Sequence, residues 1–116
     1  MGHALDGKPG VSEIAADTAQ LVADAMQALS APSRVRILGR LRISPCSVIE
    51  LAEAIEMEPS AVSHQLRLLR HLGLVRRRRE GRSMVYALHD SHVAVLLEEA
   101  VYHVEHLRID AGGEAR

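Results

Sequence analysis

At 116 residues and a formal net charge of −1, the chain has room for one compact domain and not two, and its overall charge by itself points to no polyanionic partner. Apolar residues make up 47% of it, yet Trp and Phe are absent and Tyr occurs only twice; a core of Leu, Val, Ile, Ala and Met suits packed helices better than a β-sandwich. The single cysteine, Cys46, excludes an intrachain disulfide and a cysteine-only zinc site, which fits a reducing cytoplasm.

Residues 1–11 hold Gly, Pro and Lys without periodicity and read as a flexible N-terminal arm. The opening has no apolar signal core, and no later stretch approaches the ~20 apolar residues of a membrane span, so a cytoplasmic protein with no membrane partner is expected. Residues 12–107 form the folded domain. Ile14, Leu21, Val22, Ala25, Met26 and Leu29 follow helical spacing and predict a first helix. "SAPSRVRILGRL" starts a second, with Pro32 in its opening turn, where a missing N–H costs nothing. "ISP" breaks it, and Ser47 with Glu50 in capping-box spacing opens a short third helix to about Ile55. "PSAVSHQLRLLRHLG" is a fourth, stopped by Gly73. The period then changes: Val75, Met84, Tyr86 and Leu88 alternate around Glu80-Gly81, predicting a β-hairpin. Asp90 is placed to cap a last helix reaching about Leu107, and residues 108–116 read as a flexible tail.

A short helix, a tight turn, a second helix and a basic hairpin follow the order of a winged helix-turn-helix, mainly α with a β-hairpin wing. In that arrangement the second helix of the pair lies in the major groove. Val62, Leu66 and Leu69 face inward by spacing, which leaves Ser60, Ser63, His64, Gln65 and Arg67 near solvent, able to meet base edges and phosphates. From Ser60 to Leu88, seven arginines (67, 70, 76, 77, 78, 79 and 82) stand against one acid, Glu80, a local balance of +6 that leaves the rest of the chain at −7. On a strand, Arg77 and Arg79 face opposite to Arg76 and Arg78, with Arg82 at the tip. Such a wing can follow phosphates or enter a narrow minor groove. A polar helix face and an arginine-rich strand also serve solubility or discourage edge pairing; their conjunction favours double-stranded DNA as the partner.

The segment "HDSHVAVLLEEAVYHVEH" carries four of the seven histidines. At about 100° per residue, His103 falls near 20° from His92 and His106 near −40°, one stripe. Val93, Leu96, Leu97, Ala100, Val104 and Leu107 centre near 100° on the same wheel, a separate packing face. Eleven residues separate His92 from His103, about 16 Å along the axis, so one helix cannot bring them to one ion. An antiparallel copy can: with a twofold axis near residue 98, Asp90 and His92 of one chain meet His103 and His106 of the other, and two identical four-ligand sets form in a homodimer. Three imidazoles and a carboxylate suit zinc, nickel or cobalt. The alternative, equally open from spacing, is that Asp90 only caps the helix and the imidazoles are a solvated stripe. With Met1 removed, the amine of Gly2 and the imidazole of His3 become adjacent nitrogen donors that could raise a four-ligand site toward six, a geometry favouring nickel or cobalt; the bland alternative is an arm whose histidine does nothing.

The runs "LSAPSRVRIL", "SVIELAEAI", "SAVSHQLRLLRHLGLV" and "GRSMVYAL", spread between about Ala15 and Leu107, resemble the successive elements of the ArsR/SmtB winged-helix metal-sensing repressors. The resemblance implies a homodimer that binds operator DNA when metal-free and releases it when its cognate ion binds. One branch of the family ligates through D-x-H-x10-H-x2-(H/E) on the C-terminal helix, and Asp90, His92, His103 and His106 match that pattern position by position. The "MGH" start with "YHVEHL" is most similar to the NmtR-type nickel/cobalt sensors, which carries Gly2 and His3 across as ligands. Zinc sensors share the helix pattern, so Zn(II) stands as the alternative to Ni(II) or Co(II). Arsenic, cadmium and lead sensors need paired cysteines near the third helix, where this chain has Cys46 alone.

Two rivals differ in kind. A metal-dependent hydrolase could use the same Asp/His cluster, but no H-E-x-x-H or nucleophile-base pair is present, so no enzyme is expected. A metal-independent DNA-binding protein would treat the histidine stripe as ordinary surface.

Overall fold

The computed structural model describes residues 13–115. Five helices and three strands follow in the order α1 (Ala16–Ala28), α2 (Pro32–Ile43), β1 (Cys46–Ser47), α3 (Val48–Ile55), α4 (Pro59–His71), β2 (Val75–Glu80), β3 (Ser83–Leu88) and α5 (Ser91–Ala115). The mainly helical fold with a hairpin wing is the one expected. The short strand β1 was not legible in the sequence: two residues carry no periodicity, and β1 exists only because Cys46 pairs with Tyr86 and Ser47 with Val85 on β3. The sheet is antiparallel in the order β1-β3-β2.

Local chemistry sets the helix-turn-helix. The Ser47 hydroxyl accepts from the Glu50 N–H at 3.2 Å, while the Glu50 carboxylate accepts from the Ser47 N–H at 2.8 Å, a complete capping box at the start of α3. At its end Glu56 adopts a left-handed conformation, φ 57°, the only positive φ of a non-glycine among the described residues. The Met57 N–H then reaches the Ala52 carbonyl at 3.0 Å, which turns the chain sharply into α4. Gly73, φ 77°, ends α4 in the same way, with Leu74 N–H on the Leu69 carbonyl at 2.9 Å. The core lies between these elements: Ile37, Leu38, Leu51, Val62, Leu66 and Leu69 are fully buried, and Val75 and Tyr86 attach the wing to it. Cys46 is a small packed residue of that core.

Two helix extents differ from expectation. α1 begins at Ala16, after Ile14, the first apolar position of the predicted helix. α5 does not stop near Leu107 but continues through Gly112 and Gly113 to Ala115, because glycine in a helix costs only about 1 kcal/mol against alanine and does not forbid the conformation. The proposed arm, with Gly2 and His3, lies outside the described residues.

Candidate nucleic-acid interface and metal centre

α4 presents Ser60, His64 and Arg67 as exposed residues and Ser63 and Gln65 as half-buried ones, while Val62, Leu66 and Leu69 fix the helix to the core from its other side. The arginines of β2 are all exposed. The strand register puts Arg77 opposite Tyr86 and Arg79 opposite Met84, and Arg76 opposite Ala87 and Arg78 opposite Val85, so the two pairs lie on opposite faces. Two of the four are occupied within the wing: Arg76 Nε donates to the Leu88 carbonyl at 3.3 Å, and Arg78 Nε donates to Glu80 at 2.7 Å. Arg77, Arg79 and Arg82 have no hydrogen-bond or ion-pair partner among the described residues. Their charges are therefore unpaired among the described residues.

One polar contact of this face was invisible in the sequence. Arg34, in the first turn of α2, donates its Nε–H to the Gln65 side-chain oxygen at 2.8 Å across 31 residues of chain. No spacing rule links those positions; only the packing of α2 against α4 does.

The metal-ligand candidates fall into two pairs. Asp90 caps α5, its Oδ1 accepting from the N–H of His92 at 2.9 Å and of Val93 at 3.3 Å. His92 Nδ1 lies 3.5 Å from the same oxygen, and its side chain is 93% exposed, so the imidazole is free to turn toward a ligand. Desolvation opposes ionisation of Asp90, but the N–H groups of Val93 and His92 and the imidazoles of His92 and His89 outweigh it, holding the carboxyl below its ordinary 3.8. The carboxylate is thus charged at neutral pH, as a ligand must be. His103 and His106 lie farther along the same helix, both exposed, with the Tyr102 ring tilted over His106 at 5.8 Å between centroids. Within one chain the structure does not bring the two pairs together: among the described residues no group of three His, Cys, Asp or Glu could hold an ion. His71 and His89 are exposed as well and join neither pair.

α5 itself is packed against the domain only in its first two turns. Val93 and Leu97 are buried and Leu96 half-buried, and Arg42 at the end of α2 reaches Glu98 at 3.3 Å. Beyond that turn the expected packing face loses its cover: Val104 and Leu107 are about half exposed, as are Val101 beside that face and Val22 and Met26 on α1, and Leu21 is 69% exposed. A groove lined by Leu29, Val35, Leu97, Ala100, Val101 and Val104 runs between these elements. The apolar stripe read as serving the chain's own core therefore serves it for two turns and then offers itself to something else.

The model of the family described as "Bacterial regulatory protein, arsR family" matches residues 31–77, from α2 through α4 into the wing. The chain is 56% identical over 110 residues to the HTH-type transcriptional regulator NmtR of Mycobacterium tuberculosis, covering 94% of this chain and 92% of that protein. This chain belongs to the arsR family. The solution structure of apo-NmtR superposes with a TM-score of 0.70 at 55% identity, covering 90% of this chain and 89% of that one. The transcriptional repressor SmtB homolog of Synechocystis is 44% identical over 89 residues, 77% of this chain and 67% of that protein. The homodimeric winged helix-turn-helix DNA-binding domain of Mb0332 from Mycobacterium bovis matches with a TM-score of 0.75 at 30% identity, covering 84% of this chain and 91% of that one. Membership makes this arsR-family chain a regulatory protein and not an enzyme. No described helix is long and apolar enough to cross a membrane.

Proposed function

We propose that this arsR-family protein is a cytoplasmic, metal-responsive transcriptional repressor that binds operator DNA as an apo homodimer and is released when Ni(II) or Co(II) binds between its α5 helices. The observation that carries the reading is α5: four nitrogen and oxygen donors in two pairs, on a helix whose distal apolar stripe is uncovered. A second copy of the chain answers both features at once. Antiparallel α5 helices would cover Val101, Val104 and Leu107, and would bring Asp90 and His92 of one protomer to His103 and His106 of its partner. The donor set fits a borderline divalent ion: an ionised carboxylate, three accessible imidazoles and no thiolate, since Cys46 is buried in the core. Gly2 and His3 are proposed to complete a five- or six-coordinate sphere, which supports nickel or cobalt over zinc, as does the 56% identity to NmtR.

On this reading α4 enters the major groove through Ser60, Ser63, His64, Gln65 and Arg67, and the wing lays Arg77, Arg79 and Arg82 on the flanking backbone. The ion, when bound, supplies a cross-link between two helices. What the chain contributes is a rigid connection: Arg42–Glu98 and buried Val93 and Leu97 tie α5 to the body that carries α4. Fixing one crossing of the α5 pair removes the dimer's freedom to set its two α4 helices one major-groove turn apart, and a coupling of about 1–3 kcal/mol lowers operator affinity 5- to 150-fold.

The test is a Co(II) titration of the untagged protein, its N-terminus checked by mass, with the visible spectrum recorded beside binding to DNA. Weak d–d bands saturating at one ion per chain, with loss of DNA binding, are expected. Intense bands of a tetrahedral site would move the assignment to Zn(II); an operator response that no ion alters would overturn metal sensing.

A further inference from the structure

We infer that Arg34 is a specificity-positioning residue for operator recognition: it holds the Gln65 side-chain oxygen against α2, so Gln65 meets DNA through its amide nitrogen alone and selects against cytosine. The inference rests on the operator-binding reading above and adds a rule for what one residue of α4 reads.

A guanidinium has only donors, so the Gln65 atom 2.8 Å from Arg34 Nε must be the carbonyl oxygen and not the nitrogen. The orientation of this amide, which a free glutamine would exchange at will, is therefore set by its partner. Arg34 is itself held. It sits in the first turn of α2 beside Pro32, and its Nη1 lies 3.5 Å from the Gln27 carbonyl at the end of α1. That carbonyl is also fixed by the Ser30 N–H at 3.0 Å and the Ser30 hydroxyl at 2.6 Å. Arg34 and Gln65 are both half-buried, where a charge-assisted hydrogen bond is stronger than in open water.

A glutamine with both ends free can pair bidentately with adenine, accepting from N6 and donating to N7, or can accept from cytosine N4. With Oε1 turned onto α2, only the Nε2 donors remain to reach a base edge. Guanine N7 and O6, adenine N7 and thymine O4 all accept from such a donor, whereas cytosine presents its own N4 donor and leaves both groups unpaired. Gln65 would then discriminate against one base rather than for one.

The experiment is selection from a random-sequence duplex pool with the metal-free full-length protein, comparing wild type with Arg34→Ala, Arg34→Lys and Gln65→Glu. In the wild-type motif, one position per half-site should disfavour cytosine by about five- to tenfold. Arg34→Ala should reduce that discrimination to within about twofold, or convert the position to adenine preference, leaving other positions intact. Arg34→Lys, which restores a donor, should recover part of it. Gln65→Glu, which removes the amide donor, should abolish it or invert it toward cytosine. Circular dichroism melts of each variant separate a recognition defect from a folding one. An unchanged motif in Arg34→Ala would overturn the inference. So would a uniform loss of affinity with the salt slope lowered by about one, since that is the signature of a phosphate contact. If the wild type enriches no motif at all, the operator-binding reading itself fails, and this inference with it.

Discussion

Mixing two crippled chains should rebuild a metal site that neither has alone. α5 is a continuous helix from Ser91 to Ala115, so the eleven residues between His92 and His103 amount to about 16 Å of rise. Donors on one zinc-like ion, each bonded at about 2.0–2.2 Å, can stand no more than about 4 Å apart. The rise exceeds that span by more than two imidazoles leaning toward each other can close, and among the described residues no three donors of one chain gather, so the pairs belong to different ions or different chains. Consider His92→Gln in one chain and the double change His103→Gln with His106→Gln in the other. Each homodimer lacks one or two donors at both sites. Refolded together at equal amounts, half the dimers are mixed, and each mixed dimer has one site with all four donors and one with a single remaining carboxylate. Metal-binding capacity resistant to a chelator that strips both parents should therefore reappear at about one quarter of the wild-type value. The assay is a chelator-competed Ni(II) or Co(II) titration of parents and mixture. A mixture that behaves as the average of its parents would refute the shared site.

Three further outcomes follow from particular contacts. Arg77→Ala and Arg79→Ala should each lower the slope of log affinity for DNA against log salt by about one, whereas Arg78→Ala, whose guanidinium is already paired with Glu80, should change it less; fluorescence anisotropy across a salt series reads this directly. Glu56→Gly should stabilise the protein by about 0.5–1 kcal/mol in urea unfolding, because the left-handed conformation strains a side chain more than the added chain entropy costs; a lower midpoint would count against the strained turn. Burial raises the Cys46 thiol above its ordinary value of 9.0, with Arg40 opposing and Glu50 adding, so it should stay protonated and label slowly at neutral pH; labelling should become fast only on unfolding, and rapid native labelling would contradict the packing.

Much of this protein is local and was therefore legible. The capping box of Ser47 and Glu50, Pro32 and Pro59 at helix starts, and the stop at Gly73 are satisfied within a few residues, and each appears where the spacing predicts. The arginine run of the wing and the stripe of Asp90, His92, His103 and His106 are likewise properties of one strand and one helix. What the sequence could not supply depends on residues far apart in the chain. β1 exists only against β3, forty residues on. Arg34 finds Gln65, and Arg42 finds Glu98, only because α2 lies between α4 and α5. The wheel drew one apolar face along α5, and only the fold showed that its first two turns are spent on the domain and the rest is left open. Periodicity reports which side of a helix is apolar, since side-chain direction is set by backbone geometry alone. It carries no information on how far the neighbouring elements extend, and that extent decides which part of the face the chain itself can bury.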